Sequence, residues 1–196
     1  MTLSKIFLLI GLFLFTACGN TGGSASSSRD FRAVSDITPV LKSQNREILQ
    51  ALNIARSVAR DCQDGLGVVG PSRALKWNDE LYASAYEHSS DLAQSNTFSH
   101  LGSGTEFDIT GANNGGGKSQ FFERIESSGY TNYHTLGENI AGGQNDIAEV
   151  MEAWLASPAH CTNIMNDKFE EVGVAVVVAE DTTFEIYWTQ NFGAKF

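Results

Sequence analysis

The sequence predicts an α+β domain, a three-layer α-β-α sandwich in which helices cover both faces of a small antiparallel sheet. Three observations predict it. From Gln44 to Met165, apolar residues recur mainly at three- and four-residue spacing, the period of helices buried on one side. Beyond Met165 the period shortens to two, with Val172, Val174, Val176 and Val178 followed by Phe184, Ile186, Trp188 and Phe192. The first of these two strands is apolar on both sides, through Gly173, Ala175 and Val177, and so requires cover on both faces.

Taken in order, Gln44 to Arg60 sets Ile48, Leu52, Ala55 and Ala59 on one face of a first helix, with Arg46, Glu47 and Arg56 toward water. The Gly and Pro residues of 61–73 break it. Asn78 is a suitable N-cap for a second helix that carries Leu81, Ala85, His88 and Leu92 and ends near Ser95. Leu101 to Gly117 reads as a long mobile loop. A short third helix runs from about Ser119 to Ser127 with Phe122 and Ile125, closed by a left-handed Gly129. Leu136 to Ala141 is a third strand, weakened by Gly137 and Asn139. Asp146 and Glu149 form a capping-box pattern ahead of Val150, Met151, Trp154 and Leu155, and Pro158 stops this fourth helix. Ser157 as N-cap and Pro158 as first helical residue open a fifth, which puts His160 and Cys161 in its first turn. The C-terminal strands join at Asp181-Thr182 as a hairpin.

Ahead of the domain, Lys5 and the apolar run Ile6 to Phe15 read as an export signal, too short to remain as a spanning helix. Residues 1–17 are therefore expected to be a lipoprotein signal peptide, 18–43 a flexible tether, and 44–196 the folded domain. Leu14-Phe15-Thr16-Ala17-Cys18 resembles a bacterial lipobox, which implies acylation of Cys18 and anchoring to the lipid bilayer; cleavage near Ala17 with a free thiol is the alternative. Export places the remaining cysteines, Cys62 and Cys161, in an oxidising compartment, and they are expected to pair across a loop of about 100 residues, for which chain entropy gives about 4 to 5 kcal/mol. Removing residues 1–17 takes one Lys and no acid from a formal charge of −10, leaving −11. With no basic run, nucleic acid is excluded as a partner and so is charge-driven binding to an anionic surface. A monomer at the outer membrane or cell surface is the expected state.

Seven segments resemble the bacterial branch of the CAP superfamily (cysteine-rich secretory protein, antigen 5, pathogenesis-related 1; the SCP-like domain) in order and spacing. They are Leu75-Lys76-Trp77-Asn78, His88-Ser89-Ser90-Asp91-Leu92-Ala93, Phe98-Ser99-His100, Gly129-Tyr130, Gly137-Glu138-Asn139-Ile140-Ala141, the run from Trp154 to Met165, and Tyr187-Trp188-Thr189-Gln190-Asn191-Phe192-Gly193. The resemblance covers about residues 45 to 193 and implies the same sandwich. It also implies a cavity with His100, Glu138 and His160 on its walls. A second acid found in many relatives is replaced here by Ser157.

Two imidazoles with a carboxylate form a donor set that a divalent ion such as zinc accepts, leaving a position for water; equally, the histidines could bond each other, the carboxylate and water with no ion. No cofactor is certain. His88, on the apolar stripe of the second helix, reads as a hydrogen-bonded core residue, His134 as solvated, and Trp154 and Trp188 as core. Ala112 to Ser119 matches a relaxed phosphate-loop pattern and is rejected, because the preceding Phe107-Asp108-Ile109-Thr110 is too short and polar for the buried strand that loop requires. No nucleophile elbow or His-Glu-x-x-His helix is present.

The resemblance thus points to a non-catalytic binding module for a lipid, a sterol, or an envelope or host component, with no catalytic residues. A metal-dependent hydrolase of peptide or peptidoglycan, using Glu138 as base and His160, is the enzyme alternative. A structural envelope protein with an inert cavity is the third.

Overall fold

The computed structural model describes the backbone of residues 34–196 and the side chains from residue 44 onward. The segment expected to be a signal peptide, Cys18 and the first part of the expected tether lie outside the described residues. Helix α1 spans Val34–Arg56, so residues 34–43, assigned above to the tether, continue the helix toward the N-terminus, and its last turn ends four residues before Arg60. Two short strands, β1 (Arg60–Asp61) and β2 (Val68–Val69), pair antiparallel, and β3 (Lys76–Trp77) follows. Helix α2 (Asp79–Ser95) is capped by Asn78, whose side chain accepts from the Glu80 and Leu81 amides, and it closes on a left-handed Asn96. Among the described residues no helix is long and apolar enough to cross a membrane.

Helices α3 (Ile109–Asn113) and α4 (Phe121–Ser127) precede the long strand β4 (Tyr133–Gly142). Helix α4 begins two residues after the expected Ser119, with Gln120 as its N-cap, and Gly129 follows it at φ +100°. Ile125 faces the core, while Phe122 is exposed. The Asp146 carboxylate accepts from Glu149 N and starts α5 (Ile147–Ala156). Ser157 separates α5 from α6 (Pro158–Met165) with an extended backbone, but its side chain makes no capping bond. Strands β5 (Glu171–Val178) and β6 (Ile186–Lys195) complete the chain.

The main sheet runs β3-β5-β6-β4. Strands β5, β6 and β4 are antiparallel, as the periodicity predicts, but β3 joins β5 in parallel through Lys76↔Glu171 and Trp77↔Val172, so the sheet is mixed. A two-residue strand has no period to read, which is why it escaped the sequence.

Alternation along the strands sorts the two faces. Val172, Val174, Trp188 and Phe192 point toward α1, α5 and α6 and form the main core with Leu52, Trp154 and Ile164. On the other face Gly173 lets α2 sit directly on the sheet, since a Cβ there would lie 2.0 Å from Tyr82 N. The predicted disulfide Cys62–Cys161 is present, with Cα atoms 5.5 Å apart, and fastens the β1–β2 hairpin to α6.

The segment 101–117, expected to be a mobile loop, is fastened by three acids, of which Asp91 and Asp108 are buried. The Asp91 carboxylate accepts from the amide and hydroxyl of Ser103. Asp108 accepts from the Gly104, Gly111 and Ser119 amides. Glu87 takes the Thr110 amide. These carboxylates supply acceptors for backbone donors that no strand or long helix satisfies; residues 112–118 form the longest exposed run of the segment, and Leu101, residues 104–106 and Ile109 are exposed as well.

Candidate functional site

β4 is an edge strand, and its alternation decides what can meet there. Glu138, opposite Asn191 on β6, projects to the α2 face; Asn139, opposite Gln190, projects to the α6 face. Asn139 Nδ2 accordingly donates to the carbonyl of His160 (3.2 Å) and to Gln190 Oε1 (2.9 Å). The candidate site therefore straddles the free edge of the sheet: Glu138 enters from one side and His160 from the other.

On the α2 side the chain leaves the helix at Asn96 and reaches His100, whose Nδ1 lies 2.9 Å from Glu138 Oε1. Against a carboxylate that nitrogen carries the proton. The His100 ring is 51 % exposed and the Glu138 side chain 2 %. The second carboxylate oxygen accepts from Arg124 Nη2 at 2.9 Å. Arg124 is itself buried, and its remaining bonds go to His100 O, Ser119 O and Ser119 Oγ. In the amide orientation that satisfies both ends, Asn191 donates to Glu138 Oε2 at 3.3 Å and accepts from Ala85 N and Ser84 Oγ.

Burial works to raise the Glu138 pKa, but the hydrogen bond from His100 and the charge and bond of Arg124 outweigh it, so the carboxyl is held below its ordinary range. His88 lies behind, fully buried, with Nε2 donating to Ser99 O at 2.9 Å and standing 4.0 Å from Glu138 Oε1. The core placement expected of it is correct. Burial depresses its pKa to about 4, opposed by Glu138, so the ring is neutral at pH 7 and its charge lends Glu138 little there. His134 is exposed and rests against Phe196, and Trp154 and Trp188 are buried.

His160 stands in the first turn of α6 with its ring half-buried; burial, then the nearby His100, lowers its pKa. It makes neither a hydrogen bond nor an ion pair with Glu138. Among the described residues no group of three His, Cys, Asp or Glu side chains could hold a metal ion. The donor chemistry explains this. Both Glu138 oxygens are already engaged, one by an imidazole N–H and the other by a guanidinium, whose charge opposes a second cation. Two imidazoles remain, fewer than the three protein ligands of a usual catalytic zinc. His100, Glu138 and His160 do not fit a divalent metal. Glu138 supports His100 and is not available as a base for water.

Arg124 and Asn191 are the members of this cluster that the sequence does not single out. On a seven-residue helix, Arg124 next to core Ile125 is the one local hint.

On the opposite side of the domain, α1 and α5 leave an apolar groove of about 570 Å³ between them. Ile54, Val58, Ile147, Ala148, Met151 and Leu155 line it, with Arg60 among them. Ile54 and Val58 are 61 % and 57 % exposed.

Residues 70–192 match the model of the cysteine-rich secretory protein family, CAP. Among curated proteins, YkwD of Bacillus subtilis is 33 % identical over 125 residues, which is 63 % of this chain and 40 % of YkwD. The membrane protein YlbC of the same organism is 28 % identical over 118 residues, 60 % of this chain and 28 % of YlbC. The chain thus spans less than half the length of either relative. Among solved structures, an extracellular protein containing an SCP domain from Bacillus anthracis superposes with a TM-score of 0.57 at 24 % identity, over 79 % of this chain and 41 % of that one. An outer surface protein from Borrelia burgdorferi gives 0.54 at 20 % identity, over 82 % of this chain and 96 % of its own. Both likenesses concern the fold. His100, Arg124, Glu138 and His160 fall inside the matched residues, whereas the α1 wall of the groove and Arg60 precede them.

Proposed function

Because this chain belongs to the cysteine-rich secretory protein (CAP) family, we propose that it is an exported, lipid-anchored binding module whose ligand is an acyl lipid held between α1 and α5. One observation carries the reading: a groove of about 570 Å³ with apolar walls on both helices. That volume lies within the range of small-molecule sites. Ile54 and Val58 stay in water there, although burying such a side chain is worth about 1.5 to 3 kcal/mol. By contrast, the His100–Glu138–Arg124 cluster satisfies itself internally and offers a ligand little beyond the exposed ring of His100.

Native mass spectrometry of the folded protein with a mixture of C16 lipids tests the groove. Wild type retains a lipid adduct and Ile54→Glu/Val58→Glu does not; equal adducts on both, or none on either, defeat the reading.

Export and anchoring at Cys18 are supported by the lipobox-like end of the apolar run, by an internal disulfide suited to an oxidising compartment, and by the extracellular and surface descriptions of the two structural neighbours. In cells given labelled palmitate, wild type takes up label and Cys18→Ala does not. An unlabelled wild type removes the anchor.

A further inference from the structure

We infer that Asn114 is a site of spontaneous covalent modification, at which the folded chain converts its own side-chain amide into a carboxylate through a succinimide formed with the Gly115 backbone nitrogen. The inference is independent of the groove. Asn114-Gly115 is the one Asn-Gly pair in the sequence, and it lies in the stretch Ala112 to Ser119 that fails as a phosphate loop.

The reaction needs a reachable amide carbon, an unengaged backbone nitrogen next to it, and freedom to bring the two together. Asn114 closes α3 with its backbone N–H, which donates to Thr110 O at 3.0 Å, and its side chain makes no hydrogen bond with the described residues. The Gly115 N–H has no acceptor among them either, whereas Gly116 N donates to Gly111 O at 3.0 Å. Residues 112–118 are exposed, so water reaches both reacting groups. Asn114 stands at ψ 18°, and the attack requires that torsion to open. Gly115, Gly116 and Gly117 follow at φ +97°, +87° and +121°, with nothing within 4 Å of where a Cβ would stand, so no side chain resists the rotation.

Hydroxide removes the Gly115 N–H proton, the nitrogen bonds to Asn114 Cγ, and the side-chain nitrogen leaves as ammonia, taking a proton from water and restoring the hydroxide. Water then adds to either carbonyl of the five-membered ring and opens it. The product is Asp at position 114, or the isomer in which the backbone runs through the former side chain. Ammonia is lost, water is gained, and one carboxylate appears. Asp108 still accepts from the Gly104, Gly111 and Ser119 amides, so the change falls on an exposed run between fixed ends.

Asp64-Gly65, the one Asp-Gly pair, could close the same ring and supplies the contrast. Its carboxylate accepts from Leu66 N at 2.9 Å and from Thr162 Oγ1 at 2.8 Å. Those two bonds hold the carboxyl below its ordinary pKa, and an ionised, bonded carboxylate is a poor electrophile.

Folded protein and a synthetic peptide of residues 109–121 are held at pH 8.5 and at pH 5, digested in acid, and read by mass spectrometry with fragmentation that separates Asp from its isomer. At pH 8.5 the 109–121 segment of the folded protein should gain one mass unit, and ion exchange should resolve a species one charge more negative. The rate should lie within about tenfold of the free peptide, because exposed loops open at little free-energy cost. At pH 5 both should be slow, and Asp64 should stay unchanged throughout. Asn114→Gln, shown folded by its thermal melt, should lose the charge step, since its ring would have six members. A folded protein that stays unmodified while the peptide converts would show that the fold protects Asn114. The same charge step in Asn114→Gln would place the chemistry at another residue, and equal rates at the two pH values would exclude attack by the deprotonated nitrogen. Each of these results overturns the assignment.

Discussion

The polar cluster at the edge of β4 and the apolar groove between α1 and α5 lie toward opposite faces of the same sheet, and they differ in what they leave undone. Around Glu138, carboxylate, guanidinium, imidazole and amide pair with one another, so a newcomer must displace a protein bond to gain one. Along the groove, the apolar side chains of Ile54 and Val58 face solvent uncovered. Chemically richer residues do not by themselves make the better binding site. The cluster is closed on itself, whereas the groove leaves apolar surface uncovered.

Four perturbations sharpen that contrast, beginning with the largest. Glu138→Ala strands the buried Arg124 charge and should cost about 3 to 5 kcal/mol in urea unfolding, while palmitate binding by the remaining folded protein is unchanged. A loss below 1 kcal/mol would mean that the cluster is not a structural keystone.

Acid acts on the same region. His88 is neutral in the fold with a pKa near 4, but titrates near 6.5 when unfolded, so the unfolded chain takes up the proton first. Stability is full above about pH 6.5 and falls as pH drops toward 4, by about 3 kcal/mol. Glu138, held below its ordinary pKa, adds a further loss below about pH 4.3, as its carboxylate is protonated in the fold. Unfolding free energy measured from pH 8 to 2 checks both, and His88→Leu should flatten the upper part of the profile.

Gly173→Ala drives a methyl into the α2 backbone at Tyr82. It should destabilise by about 1 to 3 kcal/mol or more and loosen the α2 face; hydrogen exchange should rise in α2 before α1 and α5. Last, Ile54→Glu/Val58→Glu, on exposed positions, should change stability by no more than about 0.5 kcal/mol per site, yet remove lipid binding.

Much of this architecture was legible because its signals are local. Asn78, Asp146 and Pro158 mark helix starts within one residue of where they occur, and the alternating valines of β5 name both faces of the sheet. Expectations failed where a segment draws its order from distant groups. The stretch 101–117 has no period of its own and is fixed by Asp91 and Glu87 on α2 together with its own Asp108. Strand β3 is only two residues long and exists through its neighbour β5.

The site shows the same division. His100 and Glu138 stand in recognisable segments and do meet. Arg124 and Asn191 complete the cluster through contacts that no local pattern encodes, and it is Arg124 that turns a metal-like donor set into a closed ion pair. The groove was not foreseen residue by residue either: Ile54 and Val58 lie off the stripe of Ile48, Leu52 and Ala55 that the helical period assigns to the core.

The most direct test sets the two regions against each other in one titration series. Palmitate is titrated into wild type, into the cluster variant His100→Ala/His160→Ala and into the groove variant Ile54→Glu/Val58→Glu, each confirmed folded by its thermal melt. The cluster variant should bind within about twofold of wild type and the groove variant should lose binding by at least roughly tenfold. Loss of binding in the histidine variant with retention in the groove variant would contradict the account.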